Sequence, residues 1–464
     1  VIDSLLKKKP LFPLLAIGMS LLLFAAFLNN FFSNDDFRYI ENNFQGLKHL
    51  LLGYNTLRVV SNAIWAPLYL LFGFNPLGYN LVNIALYALN AILFFHFVER
   101  LFKNRTLAFF SGLFFVLSGV GADVVLWKCA DNSLICLCFG LLALLAYLRF
   151  REAKEQKYLL LSLGCYCLAM FSKEEAASLP GIILLIEYLF PNGERLKTIL
   201  LRLLPYCAII CVYLLLSKLV FSWLALAPAE LARFYQIRPL YSLAGGFSVF
   251  FLAPSGVLRT INPLAYFAAI AVAASLLLVK DRKPLLFAFC WIVITFLPQS
   301  LTSLGQFEPR FLANSISRYL YIVSIGPPLV YASLLTNLKE RLDGKVFLAV
   351  ALIGVGIYGW INYANIQQRG QQWQQDAAPV ALYLEAIGKV MPAFPPNSFV
   401  YVEPPPTGRA FVQQSMRAYY RNPSITWITD PEHYRRQPGE RAFLININWG
   451  PGGIDGIQIT EPWP

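Results

Sequence analysis

Two carboxylates stand side by side at Asp35 and Asp36, in "FFSNDDFRYIENNF" (residues 31–44), directly after the first long apolar run of the chain. Adjacent acids at a membrane rim are costly to hold. They are suited to taking a proton from an attacking hydroxyl, provided the hydroxyl comes within hydrogen-bond reach. Further charged residues occur in the same kind of place, at the ends of other apolar runs. They are Arg58, Asp123 in "GVGADVVLWKCADN", Lys173 and Glu174 in "FSKEEAASLP", Arg238, and Arg310 and Arg318 in "FEPRFLANSISRYLY". Arg and Lys hold anions, Arg through paired hydrogen bonds and Lys as a point charge. Each residue also has an ordinary explanation, since basic side chains at helix ends snorkel and an acid before a helix caps it. Their common position at one set of helix ends favours a shared cleft.

The elements that must position these residues follow from composition. Of 464 residues, 57% are hydrophobic and 14% charged, against about 25% charged in soluble domains. An all-α polytopic membrane protein is expected. Eleven apolar stretches have roughly the length needed to span: residues 11–32, 78–98, 107–126, 133–149, 158–174, 177–190, 199–224, 262–279, 284–303, 318–336 and 345–361, the sixth being short. The first run lacks a small-residue cleavage site and is expected to be an uncleaved anchor.

Lys and Arg orient the bundle. Six segments, around 7–9, 100–105, 149–157, 195–202, 280–283 and 339–345, carry 19 of the 38 basic residues, which places them on the cytoplasmic side. The acids and cations above then fall on the opposite, extracytoplasmic side, and an odd number of spans sends the C-terminus there too. The net charge of +12 is an orientation signal plus attraction to anionic headgroups, and nucleic acid is not an expected partner. The eight cysteines lie in apolar runs, and the three histidines, His49, His96 and His433, are scattered. No metal site is expected from them.

Between the first two expected spans, "LRVVSNAIWAPLYLLFGFNP" is expected to lie as a helix in the interface plane. Residues 1–361 form the expected membrane domain and 362–464 a small extracytoplasmic α/β domain, with helices at 376–390 and in "RAFVQQSMRAYY". Its expected strands are "SFVYVEP", "SITWIT", "AFLININ" and "IDGIQIT".

Several segments, in order, resemble the GT-C superfamily of polytopic glycosyltransferases that use lipid-phosphate sugars. The likeness is to the protein O-mannosyltransferase-like branch, which includes the tetratricopeptide-bearing transmembrane O-mannosyltransferases and their bacterial relatives. The matching pieces are "NDDF", "LFGFNPLGYNLVNIALYALNA", "ADVVLW" with "LLALLAYLRF", "LAMFSKEEAASLPGIILLIEYLF" and "SRYLYIVSIG", spread over residues 33–326. The resemblance implies a GT-C-like fold and transfer of a hexose or pentose from a polyprenyl-phosphate donor to a hydroxyl of a protein or glycan. It carries the family's paired acids onto Asp35 and Asp36, its second loop acid onto Asp123, its Lys-Glu pair onto Lys173 and Glu174, and its late Arg onto Arg318. The chain departs from the pattern at Val59, where relatives often have Pro, at Asn80 and Tyr87, where they often have His, and in lacking tetratricopeptide repeats.

Such a transfer needs a base for the hydroxyl proton and cations for the departing phosphate. Asp35 or Asp36 can serve as base, with Asp35 expected. Like-charge repulsion raises one acid of such a pair unless cations such as Arg38 and Arg58 offset it. Lys173, Arg318 and Arg310 are the expected donor-phosphate ligands, and Arg58, Asp123 and Glu174 the sugar and acceptor contacts. No cofactor or metal is expected, because cations do the work of one. The expected location is the cytoplasmic membrane, with the chain acting in cell-envelope O-glycosylation. A flippase of lipid-linked sugars or an inactive subunit of a membrane complex are the alternatives; a flippase has no use for a carboxylate beside the donor phosphate, so the acid pair favours the enzyme.

Overall fold

The computed structural model describes residues 10–52, 57–221, 279–300 and 317–461, apart from 430, 432, 433, 438 and 452. The expected span at 262–279, all but its last residue, and Arg238 and Arg310 lie outside the described residues. Helices dominate. In chain order they are α1 Leu11–Phe24, α2 Asp36–Asn42, α3 Leu47–Leu52, α4 Val59–Phe72, α5 Pro76–Phe102, α6 Arg105–Val116, α7 Ala122–Leu126, α8 Asp131–Ala153, α9 Gln156–Met170, α10 Leu179–Leu189, α11 Leu196–Phe221, α12 Lys283–Ser300, α13 Gly326–Lys339 and α14 Gly344–Val390. Four of the described helices are long and apolar enough to cross a membrane, or five if the bent pair α6–α7 counts as one span.

Exposure agrees with that setting. Leu200, Leu201, Leu204, Leu215 and Leu219 on α11, and Leu352, Ile353, Ile357 and Trp360 on α14, all point outward, a pattern that fits lipid and not water. The interior is filled where α5, α6, α8 and α9 meet, around Phe94, Phe97, Leu134, Leu141 and Tyr147. At the basic end of the bundle, Glu187 is buried and accepts a hydrogen bond from the Tyr147 hydroxyl at 2.6 Å, with Arg151 Nε 3.0 Å away. That cluster fastens α8 to α10.

The stretch expected as one span at 107–126 is broken. Helices α6 and α7 meet at 48°, and Tyr87 on α5 is set into the break. Its hydroxyl lies within hydrogen-bond distance of the carbonyls of Phe115 at 2.9 Å, Val116 at 3.0 Å and Ser118 at 3.3 Å. A helix end leaves its last carbonyls short of partners; Phe115 and Ser118 each also accept one backbone N–H here, from Ser118 and Gly121, and Tyr87 adds a second donor. A Cβ at Gly121 would overlap the Tyr87 ring, so the close approach needs glycine there. From α14, the Asn362 amide oxygen accepts the Gly119 N–H at 2.7 Å.

Asn80 performs the equivalent service for α1. Its side-chain amide donates to the Leu28 carbonyl at 2.7 Å and lies near those of Phe27 and Asn30, which fixes the exit of the chain toward Asp35. Asn80 and Tyr87, the two positions where relatives often have His, thus both hold backbone carbonyls.

Helix α14 runs on past the expected boundary at 361 and contains the stretch 376–390 that the sequence suggests as a separate helix. At 1.5 Å per residue, its 47 residues extend about 70 Å. Gly370 lets it touch the turn that follows α1, where a side chain would overlap the Phe27 ring. Beyond it lies a four-stranded sheet of β1 Ser398–Glu403, β2 Thr426–Trp427, β3 Arg441–Gly450 and β4 Gly453–Thr460, in the order β2-β1-β3-β4. Strands β2 and β3 are parallel to β1, and β4 pairs antiparallel with β3. Helix α15, Arg409–Tyr420, connects β1 to β2 and completes a βαβ unit. It also packs against α2, with Arg417 Nη1 3.4 Å from Glu41 Oε1.

Replacing Tyr87 by Phe leaves the carbonyls of the α6–α7 break without their shared donor. A loss of roughly 1–2 kcal/mol is expected, read as a lower midpoint of thermal unfolding in detergent.

Candidate active site

At the end of the bundle opposite the basic loops, the entrance to α2 meets the turn before α8, the break between α9 and α10, and the segment before α13. Asn34 occupies a left-handed conformation, with φ of +50°, which Asn tolerates better than most residues. That turn sets Asp35 at the start of α2. Asp35 lines a cleft of about 130 Å³ together with Tyr39, Arg58, Lys173, Arg318 and Tyr319. Its carboxylate is 38% exposed, with Arg38 Nη1 4.0 Å away.

Asp36 lies elsewhere. Its side chain is 1% exposed and is not part of the cleft lining. Oδ2 accepts the Ser33 N–H at 3.0 Å and Oδ1 the Cys129 N–H at 2.8 Å, so the acid ties the first loop to the turn before α8. Beside it, Lys128 Nζ donates to the Phe31 carbonyl at 2.9 Å. Burial pushes the Asp36 carboxyl up from its ordinary value, against the charge of Lys128 and the two backbone N–H groups. The tandem acids are separated by one residue's change of direction. One faces open space, and the other is sealed into the wall.

The cations are also distinct. Lys173 is buried and lies 2.5 Å from Glu175 Oε1, and it donates to Ser133 Oγ at 2.7 Å. Its partner is thus Glu175, not the adjacent Glu174. Glu174 spends both carboxylate oxygens on Arg58, at 3.2 Å from Nε and 2.7 Å from Nη2. It does not line the cleft, and its effect is to hold Arg58 there. Partial burial acts to raise the Glu174 carboxyl, but the charge and hydrogen bonds of Arg58 prevail and hold it down at about 2.

Arg318 is held by faces. Its guanidinium lies 4.2 Å from the centre of the Trp127 ring and 4.8 Å from that of Tyr319, and it donates to the Tyr319 hydroxyl at 3.1 Å. Among the described residues no carboxylate pairs with it. A guanidinium fixed between aromatic rings without a counter-charge is well placed to receive an anion.

Asp123 lines a second cleft of about 370 Å³, which shares Trp127 and Arg318 with the first. Its Oδ1 accepts from Arg369 at 3.0 and 2.7 Å and from Trp373 Nε1 at 3.0 Å. Arg369 and Trp373 come from α14 and were not anticipated. Their signal was present in "QQRGQQWQQD" as an Arg and a Trp four residues apart just beyond a span, but an Arg and a Trp at that level also serve as interface anchors. Trp127, Lys128 and Tyr319 sit beside residues that were singled out. Among the described residues no three His, Cys, Asp or Glu side chains converge to hold a metal ion.

Asp36→Ala orphans two buried N–H groups and removes the neighbour of a buried lysine. A loss of roughly 3 kcal/mol, seen as a lowered unfolding midpoint, is expected. For Glu174 the folded-state value lies below the ordinary 4.5, so its stabilising effect is complete above 4.5 and is lost as pH falls toward 2. Glu174→Gln should flatten the fall of the unfolding midpoint in that acid window.

Residues 59–223 match the family model described as dolichyl-phosphate-mannose-protein mannosyltransferase. Asp123, Lys173 and Glu174 fall inside that segment. The mouse Protein O-mannosyl-transferase TMTC1 is 28% identical over 138 residues, which cover 27% of this chain and 15% of the mouse protein. The chain therefore spans a small part of that curated relative. ArnT from Cupriavidus metallidurans, solved with bound undecaprenyl phosphate, superposes with a TM-score of 0.59 at 14% identity, over 95% of this chain and 93% of that one. The oligosaccharyltransferase of Archaeoglobus fulgidus, crystallised with zinc and sulfate, gives 0.50 at 14% identity, over 89% and 62%. Over residues 59–223 the chain is thus similar to the dolichyl-phosphate-mannose-protein mannosyltransferase family model, and its mostly helical, membrane-type fold is similar to that of ArnT.

Proposed function

We propose that the protein transfers a sugar from a polyprenyl-phosphate donor to a hydroxyl acceptor, at the extracytoplasmic face of the cytoplasmic membrane. The observation that carries this is the first cleft, where the open carboxylate of Asp35 faces the same space as Arg318, Lys173 and Arg58. The acceptor oxygen attacks the anomeric carbon as its proton passes to Asp35. The bond from that carbon to the phosphate oxygen breaks, and the electron pair leaves with the polyprenyl phosphate. Arg318 and Lys173 meet the growing phosphate charge, with Arg318 the stronger contributor because its charge is uncompensated within the described residues. Displacement in one step inverts the anomeric centre.

Arg58, held by Glu174, borders the reacting sugar, and Asp123 contacts sugar or acceptor from the second cleft. Arg310 stays a candidate phosphate ligand. In this scheme cations replace a metal, and no cofactor is required. ArnT was solved with undecaprenyl phosphate, and a donor of that lipid class suits the anion-seeking Arg318 here. Residues beyond the membrane part, with the sheet, form the extracytoplasmic module.

The test is Asp35→Asn in the purified full-length protein. Transfer from the lipid donor should fall about 10²-fold or more, while the unfolding midpoint and binding of polyprenyl phosphate stay at wild-type levels. Unchanged transfer rejects Asp35 as base, and lipid-sugar translocation without any transfer in the wild type identifies a flippase.

A further inference from the structure

The 370 Å³ cleft is larger than the one holding Asp35, and a phosphate site and a base do not account for it. That volume lies in the range of roughly 300–1,000 Å³ typical of small-ligand sites. Its floor is aromatic. Trp127 and Trp373 stack at 5.3 Å with planes 23° apart, and the hydrogen bond from Trp373 Nε1 to Asp123 fixes the rotation of the indole. Its rim is polar and unoccupied. Among the described residues, the side chains of Asn34, Gln375 and Asp376, all lining this cleft, make no hydrogen bond to the rest of the protein.

Those groups have a common chemistry. An amide offers two donors and an acceptor, and a carboxylate offers acceptors only, so together they match the alternating donor and acceptor demands of neighbouring hydroxyls. The stacked faces of Trp127 and Trp373 cover each other and Arg318 lies over Trp127, so it is chiefly the indole edge of Trp373 that supplies apolar contact for the C–H face of a ring. With Arg318 assigned to the donor phosphate, Arg369 is paired with Asp123 and Asp376 remains as a carboxylate, so the cleft has no cation to spare for a charged acceptor. A neutral ligand is therefore favoured over a polyanion. Asn34 also immediately precedes Asp35, so a ligand that reaches the Asn34 amide brings its hydroxyls toward the proposed base.

We propose that the second cleft is the acceptor subsite and that it takes a neutral pyranose ring, making the acceptor a glycan hydroxyl and not a peptide side chain. This rests on the glycosyl-transfer reading above. Trp373 is the platform of the subsite, Gln375 and Asp376 are its hydroxyl ligands, and the Arg369–Asp123 pair holds the platform still.

The test uses the full chain in lipid nanodiscs. A panel of neutral methyl hexopyranosides and a Ser/Thr-containing hexapeptide are examined by saturation-transfer NMR, and undecaprenyl phosphate binding is measured in parallel. At least one glycoside should bind the wild type, with affinity at least tenfold weaker in Trp373→Ala and in the surface variant Gln375→Ala. Trp373→Phe should restore most of it, and the undecaprenyl phosphate affinity should move less than twofold in all three. The proposal is overturned if no glycoside binds, if binding is unchanged in the variants, if the peptide binds and is lost in them instead, or if only the lipid affinity falls. A wild type that binds glycosides but not undecaprenyl phosphate sinks the glycosyl-transfer reading and leaves the glycan subsite standing.

Discussion

A carboxylate closed off from water must have its lone pairs answered from within the protein, and the end of this molecule that holds the two clefts is organised around one that is. Asp36 takes an N–H from Ser33 and another from Cys129, two points 96 residues apart in the chain. Breaking a buried arrangement of this kind leaves charge and donors stranded. The cost is large enough to keep the first loop and the turn before α8 in one fixed relation. Asp35, one residue earlier, inherits its position from that anchor.

The same division between holding and acting runs through the other charges. Glu174 fixes Arg58, Glu175 neutralises Lys173, and Arg369 fixes Asp123. Arg318 alone among these cations is positioned by rings, not by a carboxylate. Aromatic faces orient a guanidinium without cancelling its charge, so the arrangement preserves attraction for a phosphate while giving up little geometric control.

Hydropathy and charge bias identified the class of protein and put Asp35, Arg58, Asp123, Lys173 and Arg318 together at one end, because both signals depend only on composition along the chain. The short α/β tail was legible through its alternation, and "RAFVQQSMRAYY" is α15 residue for residue. Three things were not. The opposite roles of Asp35 and Asp36 depend on a turn at Asn34, whose φ no spacing reveals. The break at Ser118 is stabilised by Tyr87 from another helix, a tertiary contact. Arg369 and Trp373 lie in a Gln-rich stretch after the last apolar run, where a continuing helix and a soluble loop have similar composition.

Helix α14 has one further consequence. It begins among the basic loops, passes Gly119 and the end of α1, holds Arg369 and Trp373 at the second cleft, and carries on unbroken to the sheet module. Pro379 lies inside the helix, between Trp373 and the sheet, where its ring removes one hydrogen bond of the helical ladder. The floor of the second cleft and the sheet module are therefore built on one helix, with Pro379 as the point between them where that helix can bend.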